Sequence, residues 1–202
     1  MTTLSAPAKP LTLAEYLQWQ APDNDNKLYE LEDGVVREMP LESELNRRVA
    51  VFLLAYFLQQ GIPPQRLSQK TEIAVSGAKA STRLPDLLVL TEAAEEALRG
   101  ASRSVILHET PPPALVVEVV SPGEENRVRD YRYKRAQYQA RGIEEYWIVD
   151  PQQGTVTVLS LRQGLYEESV FQESDLLRSP FLTRLAPEAA LTVAAILQRE
   201  AD

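Results

Sequence analysis

Two segments of this chain are apolar at nearly every position rather than at every second one: LPDLLVL (84–90) and PALVVEVVSP (113–122). A strand with both sides apolar is covered on both faces of its sheet, so each segment reads as a central strand. Elsewhere the period changes. Leu45, Val49, Phe52, Leu53, Tyr56 and Phe57 recur at helical spacing and Gly61 follows them, which predicts a helix over 45–60. LYELEDGVVREM (28–39) places Asp33-Gly34 between two strand-like runs, a hairpin signal. Thr12 followed by Glu15 has capping-box spacing for a short helix over 13–20. Strands are expected at 70–75, 86–90, 115–120 and 145–149, with a short surface helix over 91–98. A helix over 127–141 stops at Gly142, 155–161 and 166–171 pair about Gln163-Gly164, and 191–198 forms a last helix.

Strand, helix and strand in succession over 115–150 form a candidate right-handed crossover. The element order predicts an α/β sandwich with a central mixed sheet flanked by helices. With 202 residues and no internal repeat, one domain over 1–202 is expected, residues 1–10 being a loose end.

Composition narrows the function. A net charge of -8 argues against a surface that coats nucleic acid broadly. The charge is uneven, however: Arg127, Arg129, Arg132, Lys134, Arg135 and Arg141 face a single acid, Asp130, within 127–141. The absence of cysteine excludes disulfides, thiolate catalysis and cysteine-type zinc sites. His108, the one histidine, is expected on the surface, which excludes histidine-rich metal sites and makes no case for a Ser-His-Asp triad. No glycine-rich phosphate loop occurs. No apolar run nears the ~20 residues of a membrane span, and the start has no secretory pattern. An intracellular, cytoplasmic location without a membrane partner is expected.

The chemistry lies in the acids of the two apolar segments. Burying an ionised carboxylate costs on the order of several kcal/mol without a cation beside it. Asp86 stands at the start of one strand, where a solvated turn acid is the plain alternative. Glu118 interrupts the other, on the side of Val116 and Val120, where pairing with one arginine is the plain alternative. Arg83 is a partner for either acid, or a phosphate ligand. At ~100° per residue Lys134 falls at the edge of the packed helix face, beside Tyr131 and Tyr138. Its i,i+4 pair with Asp130 alone would be worth ~0.3–0.5 kcal/mol. Two carboxylates at adjacent strand ends suit a hard divalent cation such as Mg²⁺. A nearby lysine can orient water and stabilise an anionic transition state. Asp150, Tyr146 and Trp147 read as turn and core residues.

The strings ELEDG, RLPDLLVL, LVVEVVSP and RDYRYKRAQYQARGIEEYWIVDP, in that order, resemble the Uma-type restriction endonucleases of the PD-(D/E)XK nuclease superfamily. The resemblance spans about 29–161, and the last string is its most specific part. It implies a restriction-endonuclease-like sandwich with a nuclease core at about 28–161, an added N-terminal hairpin and added C-terminal strands. It also implies Mg²⁺, with Mn²⁺ as a substitute, and DNA as substrate. Asp86 resembles the acid of the PD motif, Glu118 the acid of (D/E)XK, and Glu30 an auxiliary acid upstream. Val120 occupies the usual lysine position. The resemblance moves that lysine to Lys134, with Asp130 ahead of it. Asn46 stands where relatives often carry histidine, and Gly-Glu-Glu-Asn after Pro122 departs from the usual polar pattern.

The expectation is therefore a metal-dependent endonuclease hydrolysing DNA phosphodiester bonds, with Asp86 and Glu118 as metal ligands, Lys134 positioning water and Glu30 assisting. The alternative is a non-catalytic nuclease-like module binding nucleic acid or a protein partner. A metal-dependent hydrolase of smaller phosphate substrates is a weaker option. Cutting both strands of a duplex would suit a homodimer.

Overall fold

A computed structural model describes residues 9–21, 27–39, 43–77, 81–188 and 190–198. The loose end expected over 1–10 lies, apart from residues 9 and 10, outside them.

Local signals start the elements. The Thr12 hydroxyl accepts from the Glu15 amide while the Glu15 carboxylate accepts from the Thr12 amide at 2.7 Å, which begins α1 (Leu13–Gln18). Strands β1 (Tyr29–Glu32) and β2 (Val35–Glu38) pair antiparallel about Asp33 and Gly34, at φ of 49° and 77°. Positive φ at both positions gives the two-residue turn whose twist matches a hairpin. Ser43 caps α2 (Glu44–Gln59). Then come β3 (Leu67–Ser68), β4 (Glu72–Ala74), β5 (Thr82–Arg83), β6 (Leu87–Val89), α3 (Glu92–Leu98), β7 (Val105–Ile106) and β8 (Leu115–Val119). A continuous helix over 124–141 consists of α4 (Glu124–Val128), a π-helical turn (Arg129–Lys134) and α5 (Arg135–Arg141). Strands β9 (Glu145–Asp150), β10 (Thr155–Arg162) and β11 (Leu165–Gln172) and helices α6 (Pro180–Leu185) and α7 (Val193–Leu197) complete the chain.

The main sheet is mixed, in the order β11-β10-β9-β8-β6-β3. Only β8 and β9 run parallel, joined by the helix over 124–141 as the crossover pattern anticipates. The neighbouring pairs are antiparallel. Alternation along β8 then builds two cores. Leu115, Val117 and Val119 pack with Val49, Leu53 and Phe57 of α2 and with Phe181 and Ile196 of the C-terminal helices. Val116 and Val120 pack with Tyr138, Tyr146, Ile73 and Ile106 on the other face. The result is a central mixed sheet flanked by helices.

Three features differ from the sequence expectation. The strand expected at 70–75 shortens to β4 and joins β5 and β7 in a separate three-stranded sheet, because its partners are two-residue strands too short to read from periodicity. The helix expected at 127–141 begins at Glu124, directly after Gly123, and contains the π turn. The last helix contracts to five residues, while α6, capped by Ser179 and opened by Pro180, was not foreseen.

Candidate active site

Glu118 is the fourth residue of β8. The antiparallel register pairs Leu87 with Val117 and Leu88 with Val116. Continued one residue past β6, it sets Asp86 opposite Glu118. Asp86 also bridges the strands directly, since its Oδ2 accepts the Val119 amide at 2.6 Å. The Pro85-Asp86 step therefore brings a half-buried carboxylate to the end of the gap between β6 and β8.

The helix over 124–141 supplies the rest. Bonds of the i→i+5 type widen a helical turn, so residues four apart come closer to alignment than in an α-helix. Here that turn aims Asp130 and Lys134 together at the sheet. Lys134 Nζ lies 2.7 Å from Glu118 Oε2 and 3.0 Å from Asp130 Oδ1, and all three side chains are at most 3% exposed. Lys134 is thus buried, not at the edge of the packed face as ideal α-helical spacing places it. One turn on, Tyr138 donates its hydroxyl to Glu118 Oε1 at 2.6 Å. Arg129 Nε donates to Asp130 Oδ1 at 3.2 Å, and Tyr146 on β9 donates to the Asp130 carbonyl. Asp130 Oδ2, also buried, has no hydrogen-bond partner among the described residues.

These contacts fix the charges. Burial drives the Glu118 carboxyl above the ordinary carboxylate range; Lys134 opposes that shift and Asp130 adds to it. For Lys134, burial pulls downward, but Asp130 and Glu118 outweigh it and hold the ammonium above its usual value. It is therefore a cation at neutral pH. Burial and the neighbouring Glu118 keep the Tyr138 hydroxyl protonated and a donor.

Glu30 stands behind this group. Its Oε1 accepts the Leu84 amide at 2.7 Å and its Oε2 accepts from Arg83 Nη1 at 3.1 Å. Arg83 also donates from Nε to Gln137 Oε1 at 2.9 Å. Its ion-pair partner is thus Glu30, not Glu118 or Asp86, because Arg83 lies on β5 beside β1 rather than on the main sheet. Asn46 is buried, and its amide donates to the Val119 carbonyl at 3.0 Å and to Ser121 Oγ at 3.1 Å. It fastens the start of α2 to the end of β8, a structural task that an uncharged amide fulfils.

The structure therefore brings Glu118 and Lys134 into contact, sets Asp86 across from Glu118, and ties Glu30 through Arg83 to Gln137 on the helix over 124–141, not to the acids or the lysine directly. Sequence reading missed Tyr138 as a partner of Glu118. Its spacing of four from Lys134 was the available signal. Most cations of 127–141 are internally engaged: Arg127 with Asp150, Arg135 with Glu168, and Arg141 with the carbonyls of Leu107 and Thr110. The segment is a bracing device more than a basic surface. His108 is exposed, Tyr146 and Trp147 are core, and Asp150 caps the amides of Gln152 and Gln153. Among the described residues, no three His, Cys, Asp or Glu are grouped to hold a metal ion, and no helix is long and apolar enough to cross a membrane.

The molecule is a central mixed sheet flanked by helices, with Asp86 and Glu118 at adjacent strand ends and Lys134 against Glu118. A crystal structure of a "putative nuclease belonging to DUF820" from Anabaena variabilis matches it with a TM-score of 0.66 over 94% of this chain and 98% of that one, at 18% identity. The chain belongs to the Uma2 family, described as "Putative restriction endonuclease", whose model matches residues 13–194. No curated protein matches the chain.

Proposed function

We propose that the chain is a metal-dependent endonuclease that hydrolyses DNA phosphodiester bonds, with Asp86 and Glu118 holding Mg²⁺ or, in its place, Mn²⁺. The observation that carries this reading is the buried Lys134–Glu118 pair, 2.7 Å apart, set opposite Asp86 at the strand ends. The donor set fits such a cation. Mg²⁺ is usually bound by one or two carboxylates and keeps several waters. Each Glu118 oxygen meets one hydrogen-bond donor, and a carboxylate oxygen has two acceptor sites. Among the described residues the site offers no imidazole or thiolate, which disfavours Zn²⁺ and Cu²⁺ and suits Mg²⁺ or Mn²⁺. Bound there, the cation would supply a water of lowered pKa and offset charge on phosphoryl oxygens.

The remaining chemistry belongs to the chain. Lys134 stays protonated, so it acts as a donor and fixed charge that orients water and stabilises negative charge, not as a base. Tyr138 holds Glu118 in place, and Glu30 acts at one remove by fixing Arg83. The test is cleavage of plasmid and linear DNA in Mg²⁺, Mn²⁺ or EDTA. Asp86→Ala should abolish metal-dependent cleavage while keeping its far-UV circular dichroism. Undiminished cleavage by that variant refutes the assignment. Metal binding without cleavage of any DNA would favour the non-catalytic module.

A further inference from the structure

Arg83 and Arg129, the partners of Glu30 and Asp130, border a cleft of about 480 Å³ with Tyr133, and Glu32, Glu124 and Glu125 also stand in its wall. That volume lies within the range of small-molecule sites. Arg83 is 1% exposed. Its Nε and Nη1 are satisfied by Gln137 and Glu30, but Nη2 has no hydrogen-bond partner among the described residues. A buried guanidinium nitrogen without an acceptor is costly, and such gaps call for an explanation. Arg129 spends only Nε on Asp130, which leaves its Nη groups without a partner among the described residues. Two planar guanidiniums with unused donors bordering one cleft match the oxygens of a phosphate. Tyr133 adds an aromatic wall on which a base can stack.

We propose that this cleft is a subsite for one nucleotide of the substrate, its phosphate taken by Arg83 and Arg129 and its base laid against Tyr133. The choice of a nucleotide among phosphate ligands rests on the nuclease reading; the phosphate contact itself does not. The exposed Glu124 and Glu125 repel an anion from the mouth, so they tune affinity in the opposite sense to the arginines.

The experiment is calorimetric titration of the full chain in EDTA and low salt with thymidine 5′-monophosphate and, separately, inorganic phosphate. The nucleotide should bind more tightly than phosphate. Arg129→Gln, a partly exposed position, should weaken both about tenfold, the effect of losing one charge-assisted contact. Glu124→Gln with Glu125→Gln should tighten both a few-fold, and Tyr133→Ala should reduce the nucleotide to the level of phosphate. Arg83→Lys keeps the charge but loses the fork and the bond to Gln137, so it should weaken binding of both ligands and also lower the unfolding midpoint. Equal binding by wild type and Arg129→Gln, or no binding of either ligand at millimolar concentration, overturns the proposal. Because no cleavage is read, phosphate binding in a protein that cuts no DNA would retire the nuclease reading alone. DNA cleavage with unaltered KM in Arg129→Gln would retire the subsite alone.

Discussion

Replacing Lys134 by methionine keeps most of the side-chain volume and removes one charge. In an exposed helical pair that change would cost only ~0.3–0.5 kcal/mol. The structure sets a larger scale. Lys134 is 3% exposed and touches two carboxylates, Glu118 at 2.7 Å and Asp130 at 3.0 Å. Among the described residues, removing it leaves Glu118 with the Tyr138 hydroxyl and Asp130 with Arg129 at 3.2 Å. Breaking a buried pair from one side costs about 3–5 kcal/mol. For a protein of this size each kcal/mol shifts the midpoint by roughly 2–4 °C, so Tm should fall by about 6–20 °C at pH 7. Urea and thermal unfolding followed by circular dichroism measure this. The double variant Lys134→Met with Glu118→Gln removes both charges and should recover most of the loss, giving a coupling of about 2 kcal/mol or more. The single variant should also gain stability relative to wild type in acid. Without the ammonium, Glu118 is pushed still further above its ordinary value, and the protonated form carries no buried charge. A loss below about 1 kcal/mol, or additive single and double variants, would refute the buried-network reasoning.

Other expectations follow from the same contacts. Tyr138→Phe deletes the donor to Glu118 Oε1 inside the core, so stability should drop by about 1–3 kcal/mol in urea titrations and the apparent Mg²⁺ affinity should change with it. Gly34→Ala should destabilise by more than 1 kcal/mol, roughly the cost of a strained turn residue, because φ is 77° and the added Cβ would meet Pro10 Cβ at 2.3 Å; a neutral result would mean that Pro10 does not pack against this turn and that the turn relaxes. Glu145 is buried, and burial raises it above its ordinary value of 4.5 despite hydrogen bonds from Trp147 and Phe181. A raised carboxyl contributes stability that is fully present below 4.5 and is lost as pH rises through the raised value. The stability of wild type relative to Glu145→Gln should therefore decline as pH rises above 4.5, and a pH-independent difference would count against this.

The parts of the fold legible in the chain are those that local rules settle. The Thr12–Glu15 box, the Asp33-Gly34 turn and the apolar stripe of α2 are each fixed within a few residues, and each element formed where its signal lay. The doubly apolar β8 was legible for the same reason, since every one of its residues is buried. Strands of two residues carry no periodicity, so β5 and β7 were invisible, and with them the second sheet that directs Arg83 to Glu30. The six cations of 127–141 stand out in the chain as an uneven charge, but composition cannot tell a solvated charge from a paired one. Three of them reach across to acids or carbonyls at least 20 residues away.

The candidate site divides along the same line. That Asp86 and Glu118 sit on apolar strands, and that Lys134 follows on a helix, could be read from residue order. Whether those three meet could not. Their meeting depends on the β6–β8 register, which sets Asp86 opposite Glu118, and on a π turn that rotates Lys134 inward. Both are products of packing: register is chosen by which face is buried, and a wide turn is retained only where its buried polar groups find partners. Here those partners are Glu118 from β8 and Tyr146 from β9, supplied by chain that is distant in sequence and adjacent only in the folded sheet.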